Sequence, residues 1–574
     1  MARRTGWRGA LAAAFPIGGW LPQWRSFARR DTLAALAVWA VLVPQAMAYA
    51  ALAGVPPVYG LYAALAGLVV YALFGTSRQL NVGPSSSIAV LSAATIAPLA
   101  VADGERFLVL SAALALLTGA ILVVAGLTRL GFIAEFLAKP VLAGYFVGVA
   151  LVIAVSQVPK LLGVDVESVG FLRRLWSLIG EADAVHGWTV AVGLGTLALL
   201  LALRAVAPRV PGPLIAVALG VLVSRALDLE DSGVAVVGEI SSSLPDVGLP
   251  GVGWGEVNRL LAGALGVAIL AYAESIAAAR TFAAKHGYEV DPNRELIAMG
   301  AANIGSGLLK GFPIDASVSR TAVADDAGQR SQLAGLLNAA LVLATILLLT
   351  PFFADLPQAT LAAIVIAAVL PLMRTAEIRR LRHLDEIDFG LAVVCLVGVL
   401  LFGVLGGLAV AVIASLGALI YRTFRPHTAV LGRVRGRGES DEDFGFRDVT
   451  RHPEGETYPG LVIFRFDQEI FFANARLFRD YVRELVAEAD VPVQAILLDA
   501  AAVTHVDTTG LDVLRDVHEE LSREGITLML ARMKGPVHDI FERADLMGVF
   551  GRENFFPTVH AGVAAYLGRS GSRQ

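Results

Sequence analysis

Long apolar stretches follow one another through most of this chain of 574 residues. A helix that crosses the hydrocarbon core of a bilayer needs about 20 predominantly apolar residues. Hydrophobic residues make up 56% of the chain and charged residues only 17%, which is more apolar than a water-soluble domain. The sequence therefore predicts a polytopic α-helical membrane protein. It excludes a disordered chain, a collagen-like chain and an ordinary cytosolic domain.

The apolar segments form two sets of seven, which predicts about 14 transmembrane segments in two repeats. The first set covers residues 31–52, 58–75, 84–100, 107–127, 133–156, 187–204 and 211–225. The second set covers residues 258–281, 293–308, 317–326, 332–352, 357–373, 387–403 and 405–421.

Charge density rises after about residue 425, where strand-length runs such as LVIFRF alternate with amphipathic helical patterns. This alternation predicts a soluble α/β domain. The expected domains are a cytoplasmic N-terminal segment (1–30), a transmembrane domain (31–425) with repeats 31–225 and 258–421, a linker or first strand (426–457), and the α/β domain (458–574).

The basic residues between the segments predict the orientation of the chain. Short cytoplasmic loops collect lysine and arginine. With a cytoplasmic N-terminus, the loops on that side contain Arg78, Arg129, Lys139, Arg204, Arg209, Lys285, Arg374, Arg379, Arg380 and Arg382. We therefore expect a multi-pass protein of the cell membrane, plasma or inner, with both termini cytoplasmic. Arg173 and Arg174 fall on the opposite side.

Metal, cofactor and nucleic-acid chemistry find no support in the sequence. There are one cysteine and nine histidines, without paired metal-ligand spacing. The 46 basic residues nearly balance the 50 acidic ones, so no basic surface indicates nucleic acid. We expect a protein that is not an enzyme and has no cofactor.

The two repeats contain matching polar interruptions. Gln45 lies within VLVPQAMAYA and is followed by NVGPSSSIAVLSA, whereas Glu274 lies within AILAYAESIAAA and is followed by PIDASVSRTAV. Each second motif is too short and polar for a full span, and predicts an extended stretch followed by a half-helix. Broken helices at matching places in two halves indicate the midplane site of a transporter.

Two half-helix N-termini that converge would favour a small anion, because their N–H groups and positive dipole ends point at one place. Arg320 adds a permanent positive charge. The serine hydroxyls that are candidate donors are those of Ser85, Ser86, Ser317 and Ser319.

Glu274 is the other predicted charge at membrane depth. It is open to three roles: an ion pair with Arg320, uptake of a proton, or help in binding a cation. Gln45 either lines the site or makes an interhelical hydrogen bond. Tyr49, one turn beyond Gln45, either closes the site or packs in the core. Asp315 is expected to cap the second half-helix, without a role in transport.

These motifs resemble the sulfate permease (SulP, solute carrier 26) family of anion transporters. The resemblance rests on VPQAMAYAALAGVPPVYGLYAAL, NVGPSSSIAVLS, ESIAAARTFAAKHGYEVDPNRELIAMGAANI and SRTAV, in this order. It implies two inverted seven-helix repeats divided into core and gate domains, as in uracil permease. It also implies an anion site on Gln45, Tyr49, Ser85, Ser86, Ser317, Ser319 and Arg320, with Glu274 as the coupling residue. Family members often have a hydroxyl residue and glycine at the positions of Asp315 and Ala316.

The C-terminal domain resembles a STAS domain, whose signature loop is HVDTTGLDVL. In the anti-sigma factor antagonists of this fold the residue before the glycine is phosphorylated, which implies Thr509 as a regulatory phosphosite. The alternative is that Asp507 or Thr508 only caps the following helix. The resemblance also implies a homodimer.

The function expected from these observations is secondary transport of sulfate, bicarbonate or a small dicarboxylate, coupled to H+ or alternatively to Na+, by movement of core against gate. A nucleobase:cation symporter of the same fold is a second hypothesis. A membrane-anchored STAS signalling protein is a third.

Overall fold

The computed structural model describes residues 24–100, 104–132, 139–166, 170–207, 210–238, 242–373, 375–435 and 444–571. The chain divides within a helix into two compact units, one ending at Leu416 and the other beginning at Gly417. Residues 1–23 of the predicted cytoplasmic N-terminal segment lie outside the described residues.

The first half of the helical unit contains eight helices and a two-residue strand. Its elements are α1 (Trp24–Leu52), α2 (Pro57–Phe74), β1 (Val82–Gly83), α3 (Ser86–Ile96), α4 (Gly104–Leu127), α5 (Lys139–Leu162), α6 (Phe171–Gly180), α7 (Gly187–Val206) and α8 (Gly212–Ala226). A single 3-10 turn, Ala182–Ala184, precedes α7.

The second half follows the same order. Its elements are α9 (Trp254–Lys285), α10 (Pro292–Leu308), β2 (Asp315–Ala316), α11 (Val318–Asp326), α12 (Leu333–Ala344), α13 (Gln358–Val369), α14 (Thr375–Leu384) and α15 (Glu386–Phe424). A π turn (Thr345–Leu349) and a 3-10 turn (Thr350–Phe353) continue α12, and a 3-10 turn (Leu370–Leu372) continues α13.

The helices confirm a helical membrane protein whose apolar elements follow the predicted segments. Within the described residues, nine helices are long and apolar enough to cross a bilayer. The helix α15 serves as two predicted segments, because Gly403 interrupts it with φ 75° and ψ 179°. Only glycine adopts this backbone conformation readily, so the break depends on that residue.

Each half also contains a short helix after its fifth apolar segment, which the sequence analysis did not predict. In the first half this helix is α6, and in the second half it is α14. Leu172, Leu175, Trp176 and Ile179 recur at helical spacing on α6, and all four are exposed by 43% or more. An amphipathic helix with an exposed apolar face is typical of the membrane interface.

The helices of the first unit form two packed groups. In one group α1, α2 and α4 pack against α9, α10 and α12, and in the other α5 and α7 pack against α13. The helices α4 and α10 of the first group approach each other closely. A Cβ atom on Gly119 would lie 2.6 Å from the Gly300 carbonyl oxygen, and one on Gly300 would lie 2.7 Å from that of Gly119. Small residues permit such close packing of membrane helices.

The C-terminal unit is built on a six-stranded mixed sheet. Its elements are β3 (Thr428–Arg435), β4 (Phe444–Asp448), β5 (Leu461–Phe466), α16 (Ala475–Ala487), β6 (Ala495–Asp499), α17 (Thr508–Arg523), β7 (Thr527–Ala531), α18 (Gly535–Arg543), α19 (Leu546–Phe550), β8 (Phe555–Phe556) and α20 (Val559–Gly571). Single 3-10 turns lie at Ala500–Ala502 and Arg552–Asn554.

The strand order of this sheet is β4-β3-β5-β6-β7-β8. The strands β5 to β8 are parallel, and β3 runs antiparallel to both of its neighbours. The connections between parallel strands contain helices, because a parallel pair needs a crossover. Apolar residues of β5, β6 and β7 pack on both faces of the sheet, against α16 to α19 on one face and α20 on the other. The predicted α/β domain is confirmed.

Candidate functional site

The two short strands bring the matching motifs of the two halves together. The strands β1 and β2 pair antiparallel, with Val82 opposite Ala316 and Gly83 opposite Asp315. The helix α3 begins three residues after β1, and α11 begins two residues after β2. Each motif is therefore an extended stretch followed by a short helix, as predicted. The first N–H groups of both helices have no partner within their own helix.

Hydrogen bonds between the halves fix this junction. The backbone N–H of Ser317 donates to the Asn81 carbonyl oxygen over 3.0 Å. The Asn81 N–H donates in turn to Thr321 Oγ1 over 3.0 Å. The Ala316 N–H donates to Ser275 Oγ on α9 over 3.0 Å. The positions of the two half-helix N-termini are thus coupled through side chains as well as through the strand pair.

Arg320 is fully buried and joins the second half-helix to the strand before the first. Its Nε donates to Asn81 Oδ1 over 2.8 Å, and its Nη1 donates to the Pro84 carbonyl oxygen over 2.7 Å. Its Nη2 has no hydrogen-bond partner among the described residues. The arrangement holds the guanidinium in one orientation and leaves one donor nitrogen for a ligand.

The four predicted serines lie at the starts of the two half-helices. Ser85 and Ser86 are buried, whereas Ser317 is half-buried and Ser319 is exposed. Ser317 caps α11, because its Oγ accepts a hydrogen bond from the Arg320 backbone N–H over 3.3 Å. Ser85 precedes α3 without a side-chain cap, so its hydroxyl is not used for capping.

Asp315 does not cap the second half-helix, so that expectation was wrong. It lies in β2, two residues before the capping Ser317, and is fully buried. Among the described residues, neither of its carboxylate oxygens finds a hydrogen bond of normal geometry. Its polar neighbours are Ser85, Glu274 and Arg320.

Glu274 forms no ion pair with Arg320 in the described structure, so the first of its three predicted roles is not realised. Its Oε2 accepts a hydrogen bond from Ser87 Oγ over 3.2 Å, while its Oε1 is buried without a partner. The interacting carboxyl neighbour is Asp315. Proton uptake and cation binding remain open to it.

Gln45 and Tyr49 lie on α1, which packs against both half-helices. Both are buried, and the Gln45 Oε1 has no hydrogen-bond partner among the described residues. The Tyr49 hydroxyl interacts with Ser86, and its charged neighbours are Arg320 and Asp315. The structure thus brings all the predicted binding residues to the two half-helices and to the helix beside them.

Several residues of the junction were missed by the sequence analysis. Asn81 and Ser275 hold the strands and Arg320 in place, and Ser87 is the hydrogen-bond donor to Glu274. All three are polar residues in or beside the quoted motifs. Their position among apolar residues was the available signal, but their partners depend on which helices meet.

A cavity of about 620 Å³ is lined by residues of both helix groups. It is lined by Ala48 and Ala51 of α1, Leu108 of α4, Gln157 and Lys160 of α5, and Leu361 of α13, among others. Ala48 precedes Tyr49 in α1, but none of the junction residues described above lines the cavity.

In the C-terminal unit, Asp507 caps α17 as expected. Its Oδ1 accepts a hydrogen bond from the Gly510 N–H over 2.7 Å, and its Oδ2 accepts one from the Phe472 N–H over 2.9 Å. Thr509 is exposed in the first turn of α17. Its hydroxyl is therefore accessible on the surface of the described unit.

Two broken helices that meet inside a bundle of apolar helices define a multi-pass membrane transporter. Residues 29–395 match the sulfate permease family, and residues 452–562 match the STAS domain. The chain therefore belongs to the sulfate permease family, which consists of anion transporters and not of enzymes.

Relatives cover nearly the whole chain. A probable sulfate transporter of Mycobacterium tuberculosis is 40% identical over 558 residues, which are 96% of this chain and 99% of the relative. The chloroplastic sulfate transporter 4.1 of Arabidopsis thaliana is 33% identical over 575 residues, covering 96% of this chain and 82% of the relative.

Solved structures show the same fold. The murine solute carrier 26 family member A9 anion transporter, in an inward-facing state, superimposes with a TM-score of 0.87 at 23% identity. The match covers 98% of this chain and 96% of that one. The transmembrane domain of a cyanobacterial bicarbonate transporter, BicA, gives a TM-score of 0.60 at 22% identity, covering 68% of this chain and 97% of its own.

Proposed function

We propose that this chain is a secondary active transporter of a small anion, with sulfate as the first candidate and bicarbonate or a dicarboxylate as the others. The observation that carries the proposal is the junction of two half-helix N-termini beside the unpartnered Nη2 of Arg320. Helix N-termini and a guanidinium both favour a bound oxyanion. Sulfate comes first because two relatives that cover nearly the whole chain are named for it.

The proposed anion site comprises Gln45, Tyr49, Ser85, Ser86, Ser317, Ser319 and Arg320. Arg320 supplies the charge, and the serine hydroxyls and helix N–H groups supply neutral donors. Tyr49 supplies a phenol next to Ser86. Gln45 contributes its amide, whose Oε1 is buried without a partner.

Glu274 is the proposed coupling residue. It lies beside the junction without an ion-pair partner among the described residues, so its negative charge is costly unless a cation accompanies it. A proton taken up with the anion satisfies this requirement. Na+ is the alternative cation, because carboxylate and hydroxyl oxygens also bind small hard cations.

Movement of one helix group against the other is the proposed transport step. The half-helices α3 and α11 pack against α1 of the first group, and residues of both groups line the cavity. Sliding or rocking along this boundary would expose the site alternately to the two sides.

The remaining parts of the proposal concern placement and assembly. Both termini are proposed to be cytoplasmic, in a plasma or inner membrane, since the basic loops favour that side. A homodimer is proposed from the family resemblance. Phosphorylation of Thr509 is proposed as a means of regulation, and its exposed position in the first turn of α17 is compatible with it.

Family membership favours anion transport over the two other hypotheses. Nucleobase:cation symport shares the inferred fold, but the chain matches the sulfate permease family over residues 29–395. A membrane-anchored signalling protein would not require paired broken helices with a buried arginine between them.

Uptake of radiolabelled sulfate by proteoliposomes that contain the full chain tests the proposal. An inward proton gradient should raise the initial uptake rate several-fold above the rate without a gradient, because protonation of the site accompanies anion binding. Unlabelled bicarbonate, a dicarboxylate, uracil and xanthine serve as competitors. Parallel measurements with and without Na+ identify the coupling cation.

Each outcome of this assay has a defined meaning. Absence of uptake of any tested anion would overturn the proposed function. Uptake that is indifferent to pH but dependent on Na+ would overturn only the proton coupling. Competition by nucleobases instead of anions would support the symporter hypothesis.

A further inference from the structure

Asp315 is an unusual buried residue for which the proposed function has no role. It is fully buried, and both of its oxygens lack a hydrogen bond of normal geometry, although Ser85, Glu274 and Arg320 are its polar neighbours. A buried polar group without a hydrogen bond costs about 1–3 kcal/mol, and more when it is charged. A carboxyl group in this position therefore needs a ligand or a proton.

Two other carboxyl groups in the described part of the helical unit are fully buried, and both are hydrogen-bonded. Asp31 accepts hydrogen bonds from the backbone of Arg330 and Ser331 and from the Ser331 hydroxyl. Glu295 accepts them from Tyr71 and from residues 76 and 77. These two carboxylates hold loops in place, whereas Asp315 holds none.

The interacting partner of Asp315 is the second carboxyl group at the junction. Glu274 and Asp315 interact with each other, and Glu274 Oε1 also lacks a hydrogen-bond partner. Two adjacent carboxyl groups in a region of low dielectric constant repel each other strongly when both are ionised. Carboxyl groups that interact in this way titrate as a pair and not separately.

The charged and titratable groups around this pair come from three helices. Arg320 of α11 and Tyr49 of α1 interact with Asp315, and Tyr145 of α5 interacts with Glu274. The two phenols are neutral near neutral pH, because tyrosine ionises only around pH 10. Arg320 is therefore the cation that faces the pair in the described structure.

We propose that Asp315 is a second ion-coupling residue, which forms with Glu274 a carboxyl pair that holds one proton and takes up the coupling proton as its second. With one proton, the single negative charge of the pair balances the positive charge of Arg320. A second proton removes that balance and leaves Arg320 free to attract the anion. Anion binding and uptake of the second proton are then linked reciprocally. This inference rests on the proposed anion transport and specifies its coupling site.

The pH dependence of radiolabelled sulfate uptake by proteoliposomes tests the pair. The proteins compared are the wild type, Asp315→Asn, Glu274→Gln and the double variant. Each single variant leaves one carboxyl group beside Arg320, and this group can still take up one proton with the anion. Uptake should therefore remain pH-dependent in each single variant. The double variant should lose pH dependence.

The exposed Asp246, which pairs with Lys310, provides a matched control. Asp246→Asn makes the same chemical change outside the junction and should keep the wild-type pH dependence. Uptake that stays pH-dependent in the double variant would overturn the inference. So would complete loss of pH dependence in Glu274→Gln alone, since the coupling proton would then belong to Glu274 only.

Infrared difference spectroscopy of the purified full chain supplies a readout that does not require transport. At neutral pH the wild type should show the C=O stretching band of a protonated carboxyl group, and this band should be absent from Asp315→Asn and from Glu274→Gln. A band that persists in both variants would overturn the proposal that Asp315 and Glu274 act as a carboxyl pair. If the wild type fails to transport any anion, the proposed function fails whatever the spectra show.

Discussion

At the scale of single residues, the Arg320 side chain is fixed by hydrogen bonds and also places a positive charge at the junction. Two of its nitrogens are bound to Asn81 and to the Pro84 carbonyl, and the third has no partner among the described residues. Arg320→Gln should weaken sulfate binding about 10- to 100-fold, the effect of losing a charge-assisted hydrogen bond of about 1.5–3 kcal/mol. Equilibrium binding of radiolabelled sulfate to the purified protein measures this change.

The matched control for this prediction is Arg294→Gln. Arg294 is a partly exposed arginine on α10, close to Asp291, and lies outside the junction. Its replacement should leave sulfate affinity unchanged. Equal weakening in both variants, or wild-type affinity in Arg320→Gln, would contradict the role of Arg320 in the site.

The sequence predicted which residues meet at the site better than it predicted how they are held. Gln45, Glu274 and Arg320 are visible in the sequence because polar residues within apolar runs are costly in a membrane. The hydrogen bond from Arg320 to Asn81 joins residues 239 positions apart, so it depends on the packing of the two halves. The cap was predicted at Asp315 instead of Ser317, because the two-residue strand β2 has no distinct sequence pattern.

At the scale of elements, α4 and α10 show why small residues recur in the first helix group. Gly119 and Gly300 face each other so closely that a side chain on either would meet the opposite backbone. Gly300→Val should therefore force the helices apart and destabilise the protein by about 1–3 kcal/mol. Thermal unfolding in detergent, with measured denaturation enthalpies, tests this value.

Gly390→Val is the control for this prediction, because Gly390 also lies within a helix but a Cβ atom there would meet no atom within 4 Å. It should change stability little. A stability of Gly300→Val equal to that of the control would show that the two helices can separate without cost.

The helices and strands were predicted more fully than the way in which they pack against each other. The apolar segments, the two half-helices and the α/β character of the C-terminal domain follow from periodicity and from polar interruptions. The helix α6 was missed, since its Arg173 and Arg174 were interpreted as a loop. Its exposed stripe of Leu172, Leu175 and Trp176 at helical spacing was the signal that could have identified it.

At the scale of the whole helical unit, the cavity between the two groups tests the proposed movement. Leu108 and Ala51 belong to the group that contains the junction, whereas Leu361 belongs to the other group, and all three line the cavity. The chain has a single cysteine, Cys395, which is buried, so engineered cysteine pairs are practical. We expect a bifunctional thiol cross-linker between Leu108→Cys and Leu361→Cys to arrest transport.

The cross-linked pair across the cavity should still bind sulfate, because the junction itself lies within one group. The same reagent on Leu108→Cys and Ala51→Cys links two residues of that group and should leave transport close to the uncross-linked rate. Reductive release of a cleavable linker should restore uptake in the first pair. If the cross-linked Leu108→Cys and Leu361→Cys protein transports at an undiminished rate, alternating access does not require the two groups to move against each other.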